Sequence, residues 1–152
     1  MQLSTNFTLE EFTRSQTAIR QNIDNTPTEE HIENMQLLCE MVLQPVREHF
    51  GPIAINSGYR GTVLNKTIGG SWKSQHCEGK AVDMECPGTA NRFVADWVSD
   101  NTCRARRHYQ RRRRSPGANQ STAPWHRLRR YRGRRDRCRP FRRHFSVLNW
   151  RS

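Results

Sequence analysis

The pattern of apolar and polar residues predicts one long amphipathic helix in the first third of the chain. Its apolar positions recur at intervals of three and four residues, which places them on one helix face: Ile32, Met35, Leu38, Met41, Val42 and Val46. Residues 26–29 (TPTE) precede it and combine an N-cap threonine, a proline at the first helical position and a glutamate at the third. The sequence therefore predicts a helix that begins after Thr26, is kinked at Pro45 and ends before Gly51.

Shorter elements are predicted on both sides of this helix. Residues 8–11 (TLEE) form a capping box, and Phe7 and Phe12 are placed to staple a short first helix. Residues 52–56 (PIAIN) and 81–85 (AVDME) have the apolar and β-branched content of strands. These elements predict an α+β domain in which N-terminal helices pack on a small antiparallel sheet.

Two further segments complete the folded part. Residues 57–74 are interrupted by glycine and serine and predict an ordered loop. Residues 91–98 (NRFVADWV) predict a helix with Phe93, Val94 and Trp97 on one side.

The composition changes abruptly near Asn101. Residues 1–100 carry 8 Lys and Arg against 13 Asp and Glu, a formal charge of −5. Residues 101–152 carry 18 Arg, no Lys and one acid, Asp136, which gives +17. No apolar periodicity follows Asn101, and such a composition buries too little apolar surface to offset the entropy of ordering. We expect a folded unit over residues 1–100 and a disordered arginine-rich tail over residues 101–152.

Cysteine usage and hydropathy limit the class of protein. The five cysteines are odd in number and show no CxxC spacing, which argues against a zinc ribbon or a disulfide framework and suits a reducing compartment. The N-terminus lacks the basic and apolar regions of a secretory signal, and no apolar run approaches the ~20 residues of a membrane span. We expect a soluble protein made in the cytoplasm, which needs separate delivery if its target lies outside.

The residue types that carry chemistry lie in the segment SQHCEGKAVD, residues 74–83. His76 and Asp83 are seven residues apart, Gly79 allows the chain to turn between them, and Asp83 lies in the predicted strand. An imidazole and a carboxylate at such a corner could form half of a zinc site, which needs at least one more ligand. The alternative is a surface loop histidine and a carboxylate at a strand edge.

Motifs around this segment occur in a characteristic order. They are SGYR at residues 57–60, LN at 64–65, GGS at 69–71 and SxHxxGxAxD at 74–83, after FTLEEF at 7–12 and SQTA at 15–18. In this order the chain resembles the zinc D-alanyl-D-alanine carboxypeptidases, the M15-like peptidases of peptidoglycan, and in particular their phage endolysin and prophage branch. The resemblance covers roughly residues 5 to 101.

The resemblance implies a function and roles for individual residues. It implies a monomeric, Zn²⁺-dependent peptidase whose substrate is the peptidoglycan stem peptide. Such an enzyme would act as a D-Ala-D-Ala carboxypeptidase or as an endolysin-type endopeptidase. His76 and Asp83 would be the first two zinc ligands. Arg60 would approach the substrate carboxylate, where a planar guanidinium can bind with two hydrogen bonds. Ser74 would lie near the substrate. Without the resemblance, Arg60 is a solvated loop arginine and Ser74 a turn-forming hydroxyl.

The last third of the chain departs from the family pattern. In the family, a strand with an acidic general base follows the helix, and a W-x-H element then supplies the third zinc ligand. Here no acid occurs between Asp100 and Asp136, and Trp125 and His126 are adjacent. In a strand, a shift of one residue points a side chain to the opposite face. His126 is therefore a weak third ligand, and whether this chain is an active or an inactive peptidase stays open.

The arginine-rich tail has two explanations. It could be a polybasic arm that binds nucleic acid or anionic wall polymers, which would make the protein a non-catalytic binding protein. It could instead come from translation in a shifted reading frame, because GC-rich codons read out of frame yield many arginines. The absence of lysine, beside a first part that mixes both cations, favours the shifted frame.

Overall fold

Thirteen short elements build the fold seen in a computed structural model, which describes residues 1–112 and 146–147, with side chains through Asn101. The strands are β1 (Gln2–Ser4), β2 (Phe7–Thr8), β3 (Ala54–Ser57), β4 (Ala81–Glu85) and β5 (Ser146–Val147). The α-helices are α1 (Leu9–Thr13), α2 (Gln16–Gln21), α3 (Glu29–Leu38), α4 (Gln44–Phe50), α5 (Thr62–Thr67) and α6 (Asn91–Arg112). A π-helical turn, Cys39–Leu43, joins α3 to α4, and a 3₁₀ turn, Gln75–Glu78, precedes β4.

The strands form two small sheets. β1 and β2 pair antiparallel, and β4 lies between β3 and β5 in the second sheet. β3 is antiparallel to β4, with Ile55 opposite Met84, whereas β5 is parallel to β4. Val82 and Met84 of β4 are two residues apart, lie on the same face of the strand and are buried. The predicted α+β fold with helices on a small sheet is confirmed.

The hydrophobic core lies between the long helical segment, the N-terminal strands and β4. Its largest fully buried side chains are Phe7, Phe12, Met35, Leu38, Leu43, Leu64, Val42, Val46, Val82 and Val94. Phe7 and Phe12 meet edge to face at 6.4 Å between ring centroids, as the predicted staple requires. The capping-box carboxylate of Glu11 accepts a hydrogen bond from the Thr8 backbone N–H at 2.8 Å. The predicted Phe7–Phe12 staple and the predicted capping box are therefore confirmed.

Pro45 interrupts the long helix through the turn that precedes it. A proline has no N–H to donate and its ring crowds the carbonyl four residues earlier. The chain widens into the π-helical turn before Pro45, where the Gln44 N–H bonds to the Cys39 carbonyl five residues back. The predicted irregularity at Pro45 is present.

The long helix begins two residues later than predicted. Thr28, not Thr26, is the N-cap of α3, and its side-chain oxygen accepts a hydrogen bond from the His31 N–H at 3.4 Å. Thr26 instead donates its hydroxyl to Asp24 at 2.6 Å. Because this local contact holds Thr26 in the preceding turn, Pro27 lies outside the helix.

The segment predicted as a loop contains a helix. Residues 57–74 include α5, with Leu64 and Asn65 buried. The glycines that suggested a loop lie at its ends, because Gly61 is its N-cap and Gly69 follows it with φ of +73°. The strands β1 and β2 and helix α2 were also not predicted, since each is too short for a periodic pattern.

Helix α6 is longer than predicted, extending from Asn91 to Arg112 instead of ending near Val98. Arginine favours helices, so the arginine-rich sequence does not stop it. Val94 is fully buried and Trp97 stacks on His49 of α4 at 4.7 Å, but Phe93 is 66% exposed and lies off the buried face. Within the tail that was predicted to be disordered, Ser146 and Val147 form β5, and residues 113–145 and 148–152 lie outside the described residues. No helix in the described part of the chain is long and apolar enough to cross a membrane.

Candidate functional site

The 3₁₀ turn and β4 bring the two predicted zinc ligands together. His76 is in the turn and Asp83 is at the centre of β4. The Nε2 atom of His76 lies 3.7 Å from Oδ2 of Asp83, and the side chains are 12% and 19% exposed. The pair therefore forms a largely buried corner in which both donor atoms point toward one small volume.

The second ring nitrogen of His76 has a backbone partner. Nδ1 lies 2.7 Å from the carbonyl oxygen of Gly58, so it must carry the proton in the neutral ring. Burial is the largest effect on His76 and lowers its pKa, and the nearby Arg60 guanidinium lowers it further. The Gly58 carbonyl and the Asp83 carboxylate act in the opposite direction. The neutral imidazole is favoured, with the lone pair of Nε2 facing Asp83.

Arg60 lies on the other side of Asp83. Its Nη2 donates to Oδ2 of Asp83 at 3.2 Å, and its Nε donates to the hydroxyl of Ser57 at 3.0 Å. The same carboxylate oxygen thus faces both Arg60 and His76. The structure brings together three of the residues singled out from the sequence in one polar cluster.

Gly79 positions the His76 turn, residues 75–79, against helix α3. It has φ of +68°, a left-handed conformation that ends the 3₁₀ turn and directs the chain into β4. A Cβ atom at Gly79 would lie 2.5 Å from the carbonyl oxygen of His31. The Asn34 side chain donates to the Glu78 carbonyl at 2.9 Å and ties the same turn to α3. Only glycine allows this close approach, which explains the glycine in the motif.

The motifs LN and GGS form the support beneath Ser74. The buried Asn65 donates its side-chain amide to the Ser71 carbonyl at 2.8 Å, and Gly70 donates its N–H to the Asn65 carbonyl at 2.8 Å. A Cβ atom at Gly70 would lie 2.2 Å from the Asn65 side chain. Ser74 follows as the N-cap residue of the 3₁₀ turn, two residues before His76, and its hydroxyl makes no capping hydrogen bond.

A cleft of about 660 Å³ opens beside the SGYR turn, residues 57–60. Its walls come from the α1–α2 region, from β3 and from α5, and Arg60 lines it together with Ile55, Leu64 and Ile68. Its volume is in the range of small-molecule and short-peptide sites. The polar cluster therefore has an open space next to it, on the side of Arg60.

The third predicted zinc ligand is His126. His126 is outside the described residues, and within the described part no group of three or more His, Cys, Asp or Glu side chains could hold a metal ion. The described site thus contains the two-residue half that the sequence predicted.

In a comparison with protein families, residues 5–115 of the chain match the family described as Peptidase M15. The chain belongs to the peptidase M15 family. The match includes every motif quoted above and extends beyond residue 101, where the predicted resemblance ended. No curated protein and no solved structure matches the chain. Family membership supports a peptidase-like function, and hydrolase chemistry of the metallopeptidase type, for this domain.

Within this M15 domain, sequence reasoning assigned no role to Gly58 or Asn25. The carbonyl of Gly58 bonds to His76, and the side chain of Asn25 contacts the backbone on both sides of Arg60. Gly58 was part of the quoted SGYR motif, but its contribution is a backbone atom, which residue identity does not reveal. Asn25 is in a short turn before α3, where asparagine is common for local reasons.

Proposed function

We propose that this chain is a zinc-dependent peptidase that cleaves peptidoglycan stem peptides at the bacterial cell wall. Membership of the M15 family supports the peptidase class. The observation that carries the zinc assignment is the 3.7 Å distance between His76 Nε2 and Asp83 Oδ2 in a largely buried corner. Both are donor types that zinc takes in catalytic sites.

The spacing of these donors fits one metal ion. Two ligands of a tetrahedral zinc lie about 3.3 Å apart, because zinc–nitrogen and zinc–oxygen distances are both about 2 Å. The observed 3.7 Å needs a movement of only a few tenths of an ångström. The hydrogen bond from His76 Nδ1 to Gly58 is the kind of outer contact that orients a metal-binding imidazole. His76 and Asp83 would therefore hold the metal, with His126 as the proposed third ligand.

Each residue of the cluster has a distinct part in the proposed reaction. His76 offers a neutral nitrogen and Asp83 an anionic oxygen to the metal. Bound zinc would polarise the scissile carbonyl and acidify the attacking water. Arg60 would bind a substrate carboxylate through its planar guanidinium, and Ser74 would border the substrate next to His76. No acid occurs between Asp100 and Asp136, so we assign no general base.

The position of Arg60 bears on which bond is cut. A guanidinium close to the metal ligands suits a substrate whose free carboxylate lies near the scissile bond, as in a terminal D-Ala-D-Ala. An endopeptidase would instead accept a cross-linked or extended peptide. Hydrolysis of a stem pentapeptide, compared with hydrolysis of intact peptidoglycan, separates the carboxypeptidase from the endolysin-type reaction.

The proposal is tested by zinc content and by chelator-sensitive hydrolysis. We expect the purified chain to bind one zinc ion and the His76→Ala and Asp83→Asn variants to lose it. His49→Ala and Asp96→Asn are matched controls, because both residues are exposed and distant in sequence from the cluster. Hydrolysis of purified peptidoglycan should stop on chelation and return with zinc. A wild-type chain that neither binds zinc nor hydrolyses peptidoglycan contradicts the proposal.

The charge of the last third supports a second candidate function. Residues 101–152 carry 18 Arg and one acid, which is enough to bind nucleic acid or anionic wall polymers by charge neutralisation. In this alternative the domain is a non-catalytic binding protein. Its signature is polymer binding that weakens steeply with salt, in a chain without zinc and without hydrolysis.

A further inference from the structure

The SGYR turn is held against the N-terminal segment by a very close backbone contact. The Tyr59 N–H donates to the Phe12 carbonyl at 2.7 Å. A Cβ atom at Gly58 would lie 2.6 Å from the same carbonyl oxygen, so only glycine fits there. Phe12 is itself fully buried in the core. The start of the turn is therefore anchored to a rigid part of the domain.

The end of the turn is held by one side chain, Asn25. Its Nδ2 donates to the Thr13 carbonyl at 2.8 Å and to the Tyr59 carbonyl at 3.3 Å. Its Oδ1 accepts from the Gly61 N–H at 2.7 Å. Asn25 thus uses both its donor group and its acceptor on backbone atoms, and two of these contacts are on either side of Arg60.

We propose that Asn25 is a positioning residue for Arg60. It fixes the backbone before and after Arg60, and thereby holds the guanidinium beside Asp83 and within reach of a substrate carboxylate. The substrate part of this inference rests on the proposed function, whereas the backbone part does not. No other residue of the site is bonded to both Tyr59 and Gly61 among the hydrogen bonds that the described residues show.

The physical reason is the length of the arginine side chain. Arg60 reaches Asp83 at 3.2 Å and Ser57 at 3.0 Å through several rotatable bonds, so a small displacement of its backbone changes both distances. Precise recognition of a substrate carboxylate by such a side chain requires that its backbone position be fixed. The side-chain amide of Asn25 fixes this backbone, because it carries hydrogen-bond donors and an acceptor in one plane. Aspartate keeps the acceptor and loses the donors, and alanine loses both.

The first experiment measures hydrogen exchange by NMR and does not depend on activity. In Asn25→Ala we expect the Gly61 amide and the Arg60 Nε–H to exchange about tenfold faster, with Leu38 and Val82 amides unchanged. Asn25→Asp should give an intermediate effect, since it can still accept from Gly61. The control Asn6→Ala loses the hydrogen bond to Gln44 elsewhere in the fold and should leave Arg60 unaffected. Unchanged exchange at both Arg60 and Gly61 overturns the inference.

The second experiment tests the consequence for substrate. For a stem peptide with a free C-terminal carboxylate, Asn25→Ala should raise KM about tenfold and change kcat less than about twofold. For the same peptide amidated at its C-terminus, KM should stay the same. Equal losses for the two peptides indicate a merely structural role and overturn the inference. If the wild-type chain shows no hydrolysis, the proposed function fails, and the exchange experiment alone decides the role of Asn25.

Discussion

The Nδ1 atom of His76 lies 2.7 Å from the carbonyl oxygen of Gly58, which joins the His76 turn to the SGYR turn. A second backbone contact, from the Arg60 N–H to the His76 carbonyl at 3.2 Å, runs between the same two turns. Two motifs that are far apart in sequence are therefore one structural unit. This unit sets both the orientation of the His76 imidazole and the position of Arg60. A change in either turn should therefore affect His76 and Arg60 together.

Substitution of Gly58 by alanine should disturb this unit. The added Cβ would lie 2.6 Å from the Phe12 carbonyl oxygen and 2.7 Å from its Cα, and backbone atoms cannot move aside as a flexible side chain can. We expect a loss of about 2 kcal/mol in the free energy of unfolding, measured by urea denaturation. Zinc affinity should also fall, because the carbonyl that orients His76 is displaced.

Gly61→Ala is the matched control for this variant. Its Cβ would approach no atom closer than 3.4 Å, which is ordinary contact. We expect a cost below about 1 kcal/mol, mainly from the less favourable N-cap of α5. Equal stability of the two variants would contradict the close packing of Gly58 on Phe12.

Removal of the Arg60 guanidinium should strengthen metal binding while it weakens substrate binding. If Asp83 binds a metal ion as proposed, that ion competes with Arg60 for Oδ2 of Asp83, which lies 3.2 Å from the guanidinium. In Arg60→Gln we expect zinc affinity to rise roughly threefold to tenfold, since a charge-assisted hydrogen bond to the ligand is lost. The measurement is a competition titration against a chromophoric chelator.

The control for the charge change is Arg20→Gln, an exposed position on α2. It removes one positive charge from the protein without contacting Asp83 and should leave zinc affinity unchanged. A weaker zinc affinity in Arg60→Gln than in Arg20→Gln would mean that Arg60 supports the metal ligands and does not compete for them.

Burial of Cys39 should make stability depend on alkaline pH. The thiol is completely buried, and its pKa is raised from 9.0 to about 12 by desolvation first and then by the charges of Glu11 and Glu40. Above pH 9 the unfolded chain loses this proton while the folded chain keeps it. The contribution is therefore complete below pH 9 and falls by about 1.4 kcal/mol for each pH unit toward pH 12.

The comparison of wild type with Cys39→Ala isolates this contribution. The variant should be less stable at pH 8, because it leaves a small cavity beside Leu38 and Val42. The stability difference should then shrink as pH rises from 9 to 11, measured by urea denaturation at each pH. A difference that stays constant over this range would show that the Cys39 thiol titrates alike in both states.

The parts of the fold that sequence predicted share a physical property. The long helix and β4 have apolar positions that repeat over enough residues to identify the buried face, and their bounds were close to those observed. Helix α5 has only six residues and one buried apolar side chain, Leu64, so no period was visible. The extension of α6 to Arg112 follows from the backbone preference of arginine, which an apolar pattern does not record.

The candidate site shows the same division. His76 and Asp83 were found because their residue types carry metal-binding chemistry, and Arg60 was found through the family resemblance; the three side chains meet in one cluster. The contacts that hold them were not found. Gly58 acts through its carbonyl oxygen and Asn25 through bonds to backbone atoms far along the chain, and neither depends on a local spacing that the sequence displays.

The gene that encodes the arginine-rich segment should show whether the reading frame is shifted. The family match continues to residue 115, past residue 101, where the resemblance seen in the sequence ended. Farther along, Trp125 and His126 are adjacent, and Asp136 is the only acid after Asp100. If the reading frame is shifted, one of the other two frames beyond codon 100 encodes a strand with an acid followed by W-x-H.

Translation of the gene in all three frames checks this directly, and mass spectrometry of the natural protein shows which frame the cell uses. A chain with the restored frame should bind zinc more tightly than the present chain, because it gains a third ligand on the correct face of a strand. If neither alternative frame contains the acid and the W-x-H element, the arginines are an encoded feature. Their charge then supports binding to an anionic polymer, and the salt dependence of that binding becomes the decisive measurement.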